Sequence, residues 1–436
     1  MEIFSSYNVI LGISLTIILS FIFNGIAKRT NIPAVLMLII LGIVFQYAFQ
    51  FFGAVSFDFF PMLEVLGIVG LIMIVLEAAL ELELKREKLV PILKSLAIAL
   101  IGLIASTYAA AFILRGLIDN MSLTSALLYA TPLSILSSAI IIPSVSGLSD
   151  HKKEFHIYES TFSDILGIMF FYFLTGGINP TEDSGVSGFF VNLFLTIIIS
   201  LVASYGIILI FQKIKSSVKL FLLIAVLLLL YALGKKMHLS SLIIILIFGL
   251  VIANMKLFFK WKLETLLDFK KAKAIYHDLH IITAETAFVV RTLFFVIFGV
   301  TISLASLLSI KVALISILII ASIYIIRFLL LRIFMGKDIF PQLFVAPRGL
   351  ITVLLFYAIP TEVVVPGFEP GILLFVIIGT SLVMTWGMIA DKKSQNRPLS
   401  PEEIEIAATE EVAFIVNNTT NLSDIEKSED IKDSFP

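Results

Sequence analysis

The sequence contains no cysteine and only five histidines in 436 residues. Without thiols there can be no disulfide bonds and no cysteine nucleophile, and so few histidines exclude a Cys/His metal site. Charged residues are also scarce, at 14%, whereas they make up about a quarter of an ordinary soluble protein. The sequence has no metalloprotease motif, no phosphate-binding glycine loop and no nucleophile paired with a base. These absences predict a protein that is not an enzyme and carries no cofactor.

Hydrophobic residues, by contrast, make up 59% of the chain, and its mean hydropathy is +1.06. This composition predicts an all-α polytopic membrane protein whose partner is the lipid bilayer. The net charge of −1 argues against nucleic acid as a partner. No basic region or small-residue cleavage site accompanies the first apolar run, so we expect residues 8–27 to be a retained span.

Thirteen apolar segments approach the roughly 20 residues that a membrane-spanning helix needs. They predict about 13 transmembrane helices within a transmembrane domain over residues 1–390. In chain order the segments lie near residues 8–27, 33–52, 61–82, 91–116, 122–147, 158–177, 187–212, 218–233, 239–255, 281–304, 309–334, 342–361 and 370–389.

The loops between these segments alternate in charge. Loops that follow odd-numbered segments carry Lys or Arg, whereas those near 53–60, 178–186 and 361–369 carry neither. By the positive-inside rule, this alternation places the N-terminus outside and the C-terminus in the cytoplasm, in a plasma or inner membrane. Lys235 and Lys236 depart from the pattern at the boundary between the eighth and ninth segments.

Two regions outside the spans are more polar. Residues 256–276 carry Trp and Leu among lysines and predict an amphipathic helix on the cytoplasmic face, with a solvated basic loop as the alternative. Residues 391–436 are rich in acids and poor in apolar residues, and predict a disordered cytoplasmic tail.

The sixth segment carries two carboxylates, Glu159 and Asp164, within an apolar run. An ionisable side chain near the bilayer centre costs about 2.5 to 3.5 kcal/mol on insertion scales, so something must offset each acid. At roughly 100° per residue, Ser160 and Ser163 share the face of Asp164, whereas Glu159 points about 140° away. We therefore expect Asp164 to bind a proton or a small cation and Glu159 to be a structural acid. The alternative is that both lie near a helix end and reach water.

Arg327 in the eleventh segment is the favoured partner of Glu159. An arginine cannot shed its proton, so a buried one needs a carboxylate, and bidentate pairing suits both groups. Two alternatives remain open. Arg327 could instead reach the membrane interface near Arg332, or Arg348 could take its place as the partner.

Two further segments hold charges at membrane depth. Glu77 in the third segment is deep enough to be a second cation ligand or an entrance acid. In the tenth segment Glu285 and Arg291 are six residues apart, which makes a direct bond along one helix improbable, and we assign both a structural role.

Two segments are interrupted by helix-breaking residues. The fifth contains Pro132 and Pro143, which remove backbone donors, so its helix should break or kink between them. The twelfth is interrupted by the tripeptide Pro347, Arg348 and Gly349. The fifth segment also places four hydroxyl residues at membrane depth as candidate cation ligands: Thr131, Ser134, Ser137 and Ser138.

Interrupted helices in two halves of a chain indicate a transporter site, because unwound carbonyls and half-helix ends can bind ions. Here the two interrupted segments are seven apart, an odd offset. That offset predicts two inverted halves, about 8–177 and 218–389, joined by a linker helix over 187–212.

These residues resemble the cation:proton antiporter superfamily, the sodium/proton exchangers, over roughly residues 8–390. The matching motifs are Val75-Leu76-Glu77-Ala78-Ala79-Leu80-Glu81-Leu82, Glu159-Ser160-x-x-Ser163-Asp164, Phe294-Phe295-x-x-Phe298-Gly299 and Pro347-Arg348-Gly349.

The resemblance implies thirteen helices, a six-helix core with two crossed discontinuous helices, and a homodimer. It also implies that Asp164 is the ion-binding acid and that Glu159 pairs with Arg327. The chain departs from the family pattern in two places. Ser163 stands before Asp164 where family members carry Asn or Asp, and the first broken helix has no acid between Thr131 and Ser144.

We therefore expect a monovalent cation:proton antiporter, with Na⁺ as the favoured cation. Asp164 would bind a proton or the cation in turn, with hydroxyls and unwound carbonyls completing an oxygen shell. Since Ser163 does not titrate and Arg327 stays charged, one proton is available per cation, which favours electroneutral exchange. The alternatives are a sodium-coupled symporter for an organic anion and a membrane sensor that transports nothing.

Overall fold

A computed structural model describes residues 6–30, 32–51, 60–82, 84, 86–176, 186–216, 218–237, 241–260, 265–301, 307 and 309–395. All regular secondary structure in these ranges is helical, which confirms the predicted fold class. Within the same ranges, nine helices are long and apolar enough to cross a membrane, and the protein is a multi-pass membrane protein.

Each of the thirteen predicted segments contains a helix. In chain order the helices are α1 (Ser6–Thr30), α2 (Ala34–Phe51), α3 (Phe60–Glu81), α4 (Leu89–Leu117), α5 (Leu123–Ser134), α6 (Ser138–Ser144), α7 (Asp150–Gly176), α8 (Val186–Phe211), α9 (Lys219–Lys236), α10 (Ser241–Ala253), α11 (Met255–Phe258), α12 (Phe269–Thr301), α13 (Ile310–Met335), α14 (Leu350–Tyr357) and α15 (Gly371–Gln395).

The helices up to Met388 pack in two groups. The first contains α1, α2, α3, α8, α9, α10 and α12, and the second contains α4, α5, α6, α7, α13 and α14. α15 joins the second group, because the hydroxyl of Tyr324 in α13 donates a hydrogen bond to the carbonyl of Thr380. Between the groups, α3 touches α7 and α14.

The first group has backbones in close contact. A Cβ added to Gly42 in α2 would collide with the carbonyl oxygen of Val296 in α12, and one added to Gly299 would meet that of Ile39. Small residues allow membrane helices to approach this closely. The backbones of α2 and α12 are therefore in close contact where the two helices cross.

The first interrupted helix breaks where the sequence predicts, between Pro132 and Pro143. α5 ends at Ser134, residues 135–137 are not helical, and α6 resumes at Ser138. The second interrupted segment differs from the expected span over 342–361, since only Leu350–Tyr357 is helical. Pro347 accounts for this, because the residue before a proline is pushed out of the helical region.

The predicted surface helix over 256–276 is wrong in its second half. α12 begins at Phe269 and runs without a break for 33 residues, so those residues belong to the spanning helix itself. At 1.5 Å per residue α12 is about 50 Å long, which exceeds a hydrocarbon core of about 30 Å. Its lysine-bearing first turns can therefore extend beyond the membrane. Residues 261–264 of the predicted helix lie outside the described residues.

The chain divides after Met388 into two units. In the second unit the described residues are 389–395, the end of α15. The tail that we predict over 391–436 therefore lies outside the described residues from 396 onwards.

Candidate functional site

Asp164 lies in the middle of α7 and is only 2% exposed. Its Oδ2 accepts a hydrogen bond from the hydroxyl of Ser138, the first residue of α6. Its Oδ1 is fully buried and has no hydrogen-bond partner among the residues described. An unpaired oxygen on a buried carboxyl group is costly unless a proton or a cation binds to it. The geometry therefore leaves one oxygen for a ligand.

Ser163, the neighbour of Asp164, supports the break in the first interrupted helix. Its hydroxyl oxygen accepts a 2.9 Å hydrogen bond from the backbone N–H of Leu136. That N–H has lost its helical partner because the helix stops at Ser134. Ser163 thus ties the nonhelical segment to α7.

Three other predicted ligands donate to their own helices. Each hydroxyl hydrogen-bonds a carbonyl four residues earlier: Thr131 to Leu127 at 2.7 Å, Ser134 to Ala130 at 2.9 Å, and Ser160 to His156 at 2.7 Å. Their oxygens keep lone pairs, but none of the three hydroxyls is hydrogen-bonded to Asp164. Ser138 alone of the predicted hydroxyl ligands has such a bond.

The two interrupted segments meet at their breaks. The backbone N–H of Ser137 donates a 3.0 Å hydrogen bond to the carbonyl of Pro347. A Cβ on Gly349 would collide with the Ser137 side chain, so only glycine allows this approach. The crossing is therefore fixed by backbone contact.

Arg348 is fully buried and caps the first half-helix. Its Nε donates at 2.8 Å to the carbonyl of Leu133, in the last turn of α5, and its Nη1 donates at 2.7 Å to that of Ala346. A positive charge is favourable at a helix C-terminus, where carbonyls lack partners. Arg348 does not pair with Glu159, and its role here is to satisfy these carbonyls.

Glu159 and Arg327 form a bidentate ion pair. Arg327 Nη1 and Nη2 lie 2.6 Å and 2.9 Å from the two carboxylate oxygens of Glu159. The remaining donors of Arg327 reach the carbonyls of Gln342 and Leu343, just before the second break. The pair joins α7 to α13 and to the second interrupted segment.

Glu77 bonds Arg291, a contact that our sequence analysis missed. Arg291 Nη2 lies 3.0 Å from Glu77 Oε2, and its Nη1 donates at 2.8 Å to the carbonyl of Ala139 in α6. The sequence alone assigns Arg291 a structural role and indicates no partner for it. The signal was present, because Glu77 and Arg291 are opposite charges at membrane depth with no partner in their own helices.

A cavity of about 490 Å³ lies between the two groups. One end is lined by Ile32 and Pro33, between α1 and α2, and by exposed Ser146, between α6 and α7. Its inner end is lined by Ala139 and Arg291, beside the residue that binds Asp164. The cavity therefore leads from one side of the membrane to the first break.

The described residues contain no cluster of three His, Asp or Glu side chains that could hold a metal ion. The site is instead one carboxyl group with a hydroxyl donor and the backbone of a broken helix around it.

Comparison with solved structures finds proteins with a similar fold. Two structures of the sodium proton antiporter MjNhaP1 from Methanocaldococcus jannaschii are similar at 19% sequence identity. The structure at pH 8 has a TM-score of 0.66 and covers 89% of this chain and 96% of its own. An electron microscopy structure has a TM-score of 0.65 and covers 91% and 100%. At this identity the likeness shows the fold.

None of the curated proteins matches the chain. A family model described as "Sodium/hydrogen exchanger, transmembrane" does match it, over residues 14–390. Because that match spans most of the sequence, the chain belongs to the sodium/hydrogen exchanger family, whose members are transporters and not enzymes.

Proposed function

We propose that the protein exchanges a monovalent cation, with Na⁺ favoured, for a proton at Asp164. The observation that carries this proposal is the buried carboxyl group whose Oδ1 has no partner in the described residues. An isolated buried carboxylate is costly, so a proton or a cation must neutralise it. Because both bind the same group, each displaces the other, and this competition couples their movements.

The ligand shell consists of oxygens, as a hard cation requires. Asp164 supplies the charge and Ser138 a hydroxyl oxygen, while the nonhelical residues Ile135 and Leu136 supply backbone carbonyls. Unwound carbonyls at crossing half-helices are the ion ligands of several transporter folds. The position of Asp164 against the first break supports the same use here.

Electroneutral exchange follows from the fixed charges. Glu159 is neutralised by Arg327, and Glu77 is paired with Arg291. Among the residues that the structure describes at the site, Asp164 is then the carboxyl group that is free to change its charge. One proton leaves for each monovalent cation that binds, so a membrane potential should not drive the exchange.

Movement of the second helix group against the first would give alternating access. The cavity reaches the first break from the side of the α1–α2 and α6–α7 connections. The positive-inside rule assigns that side to the cytoplasm, with the N-terminus outside and the protein in a plasma or inner membrane. A homodimer, paired through the first group, would hold that group still.

The alternative of an organic anion symporter predicts a cationic residue facing a polar cavity, with Arg348 as the candidate. The guanidinium of Arg348 instead bonds the carbonyls of Leu133 and Ala346. Its hydrogen-bonding geometry therefore does not favour anion binding.

The test is dissipation of a pH gradient in proteoliposomes after addition of Na⁺, Li⁺ or K⁺. The Asp164→Asn variant should lose the response, whereas Glu285→Gln, which removes an exposed carboxylate from α12, should keep it. The same traces with the membrane potential clamped at different values test electroneutrality. If Asp164→Asn dissipates the gradient as fast as the parent, the assigned site is wrong.

A further inference from the structure

Arg291 is the side chain that bridges the two helix groups beside the site. It belongs to α12 and bonds Glu77 in α3, both in the first group. Its other terminal nitrogen donates to the carbonyl of Ala139 in α6, which belongs to the second group. The side chains of Arg291 and Glu77 are only 15% and 22% exposed, so water competes weakly for these bonds.

The position of Ala139 makes this bridge relevant to transport. Ala139 follows Ser138, whose hydroxyl bonds Asp164. The two groups that move relative to each other in the exchange cycle are therefore tied together one residue from the ion site. Arg291 also lines the inner end of the cavity, where an entering cation would pass.

The bridge cannot survive a large movement of α6. A hydrogen bond weakens steeply when its atoms separate by more than a few tenths of an ångström or lose their alignment. The planar guanidinium has fixed donor directions, and its other end is held by Glu77. If α6 slides relative to α12, the bond to Ala139 must break.

We propose that Arg291 is a positioning residue that latches α6 to α3 and α12 in the conformation described here, with the cavity open. Glu77 holds the guanidinium in place and neutralises it, so that a cation reaching the break meets no net positive charge. The latch rests on the proposed exchange cycle, in which the second group moves with the bound ion. Its release is the step that closes the cavity.

Cavity opening can be measured without transport. Because the chain has no cysteine, a single Ser144→Cys variant carries one thiol, on a half-buried residue that lines the cavity. Its rate of reaction with a bulky maleimide in detergent reports how often the cavity is open. Ser146→Cys, at the exposed mouth of the same cavity, is the matched control.

The latch predicts a several-fold slower reaction at Ser144→Cys when Arg291→Met is added, with no change at Ser146→Cys. Glu77→Gln/Arg291→Met should be equally slow, because the donor to Ala139 is lost in both. Glu77→Gln alone should react within about twofold of the parent. Arg291→Lys keeps a donor and a charge and should recover part of the labelling rate at Ser144→Cys. Such a recovery would show that the site tolerates substitution.

Transport assays distinguish the effect of losing the latch from the effect of changing the charge beside the site. Glu77→Gln leaves an unpaired arginine beside the site and should raise the KM for the cation, whereas the double variant is neutral and should recover that KM. An unchanged reaction rate at Ser144→Cys in both variants that lack Arg291 would overturn the latch. A parent that labels as expected but moves no cation would keep the latch and refute the exchange function instead.

Discussion

Removal of the guanidinium of Arg327 should destabilise the protein strongly. Glu159 is 1% exposed, and both of its carboxylate oxygens bond Arg327. Breaking a buried ion pair by removing one partner costs about 3–5 kcal/mol, because the other charge stays buried and unpaired. In Arg327→Met the carbonyl of Gln342 loses its donors as well.

The double variant Glu159→Met/Arg327→Met separates the two contributions. It removes both charges of this pair, and exchange of a whole buried pair for apolar residues is often neutral. The carbonyl of Gln342 remains unpaired, which costs about 1–3 kcal/mol of stability. The double variant should therefore be more stable than Arg327→Met, although it lacks one more native side chain.

The assay is thermal unfolding of the purified protein in detergent. At about 2 °C per kcal/mol, Arg327→Met should lower the Tm by roughly 8–16 °C, from the unpaired carboxylate and carbonyl together, and the double variant by roughly 2–6 °C, from the carbonyl alone. Arg332→Met is the control, because Arg332 is an exposed arginine on the same helix. Its guanidinium donates a hydrogen bond to the carbonyl of Gly336 near the end of that helix. A Tm for Arg327→Met within 2 °C of the parent would refute the assigned role of the pair.

Two further variants test the site. Gly349→Ala places a Cβ against the other break and should reduce exchange at least about tenfold, whereas Gly116→Ala, with open space around it, should exchange normally in the same proteoliposome assay. Ser138→Ala removes the donor to the ion-site carboxyl group and should raise the cation KM roughly tenfold, from the loss of a hydrogen bond to a charged group. Ser134→Ala should change that KM less than about twofold, because Ser134 donates to its own helix; equal effects of the two serine variants would contradict the assigned contact.

Much of the fold can be read from the sequence because its signals are local. Apolar runs of spanning length mark the helices, and Pro132 and Pro143 bracket the first break. The start of α12 could not be read in this way, because apolar residues among lysines near Phe269 are also typical of a separate helix on the membrane surface. Only the packing of neighbouring helices shows that these residues continue the helix.

The site is less accessible to sequence reasoning because its contacts are long-range. The pairing of Glu159 with Arg327 follows from the need of a buried arginine for a carboxylate. Arg291 and Glu77 obey the same rule, but they are 214 residues apart, and the sequence does not say which charges meet. The partner of Ser163 is a backbone N–H that exists as a free donor only once the helix has broken.

The most direct test is the dependence of exchange rate on cation concentration at a series of pH values. Competition for one carboxyl group predicts that acidification raises the KM for Na⁺, by about tenfold per pH unit once the group is mostly protonated, while the maximal rate at saturating Na⁺ stays constant. If acidification instead lowers the maximal rate and leaves the KM for Na⁺ unchanged, the proton and the cation bind at different places.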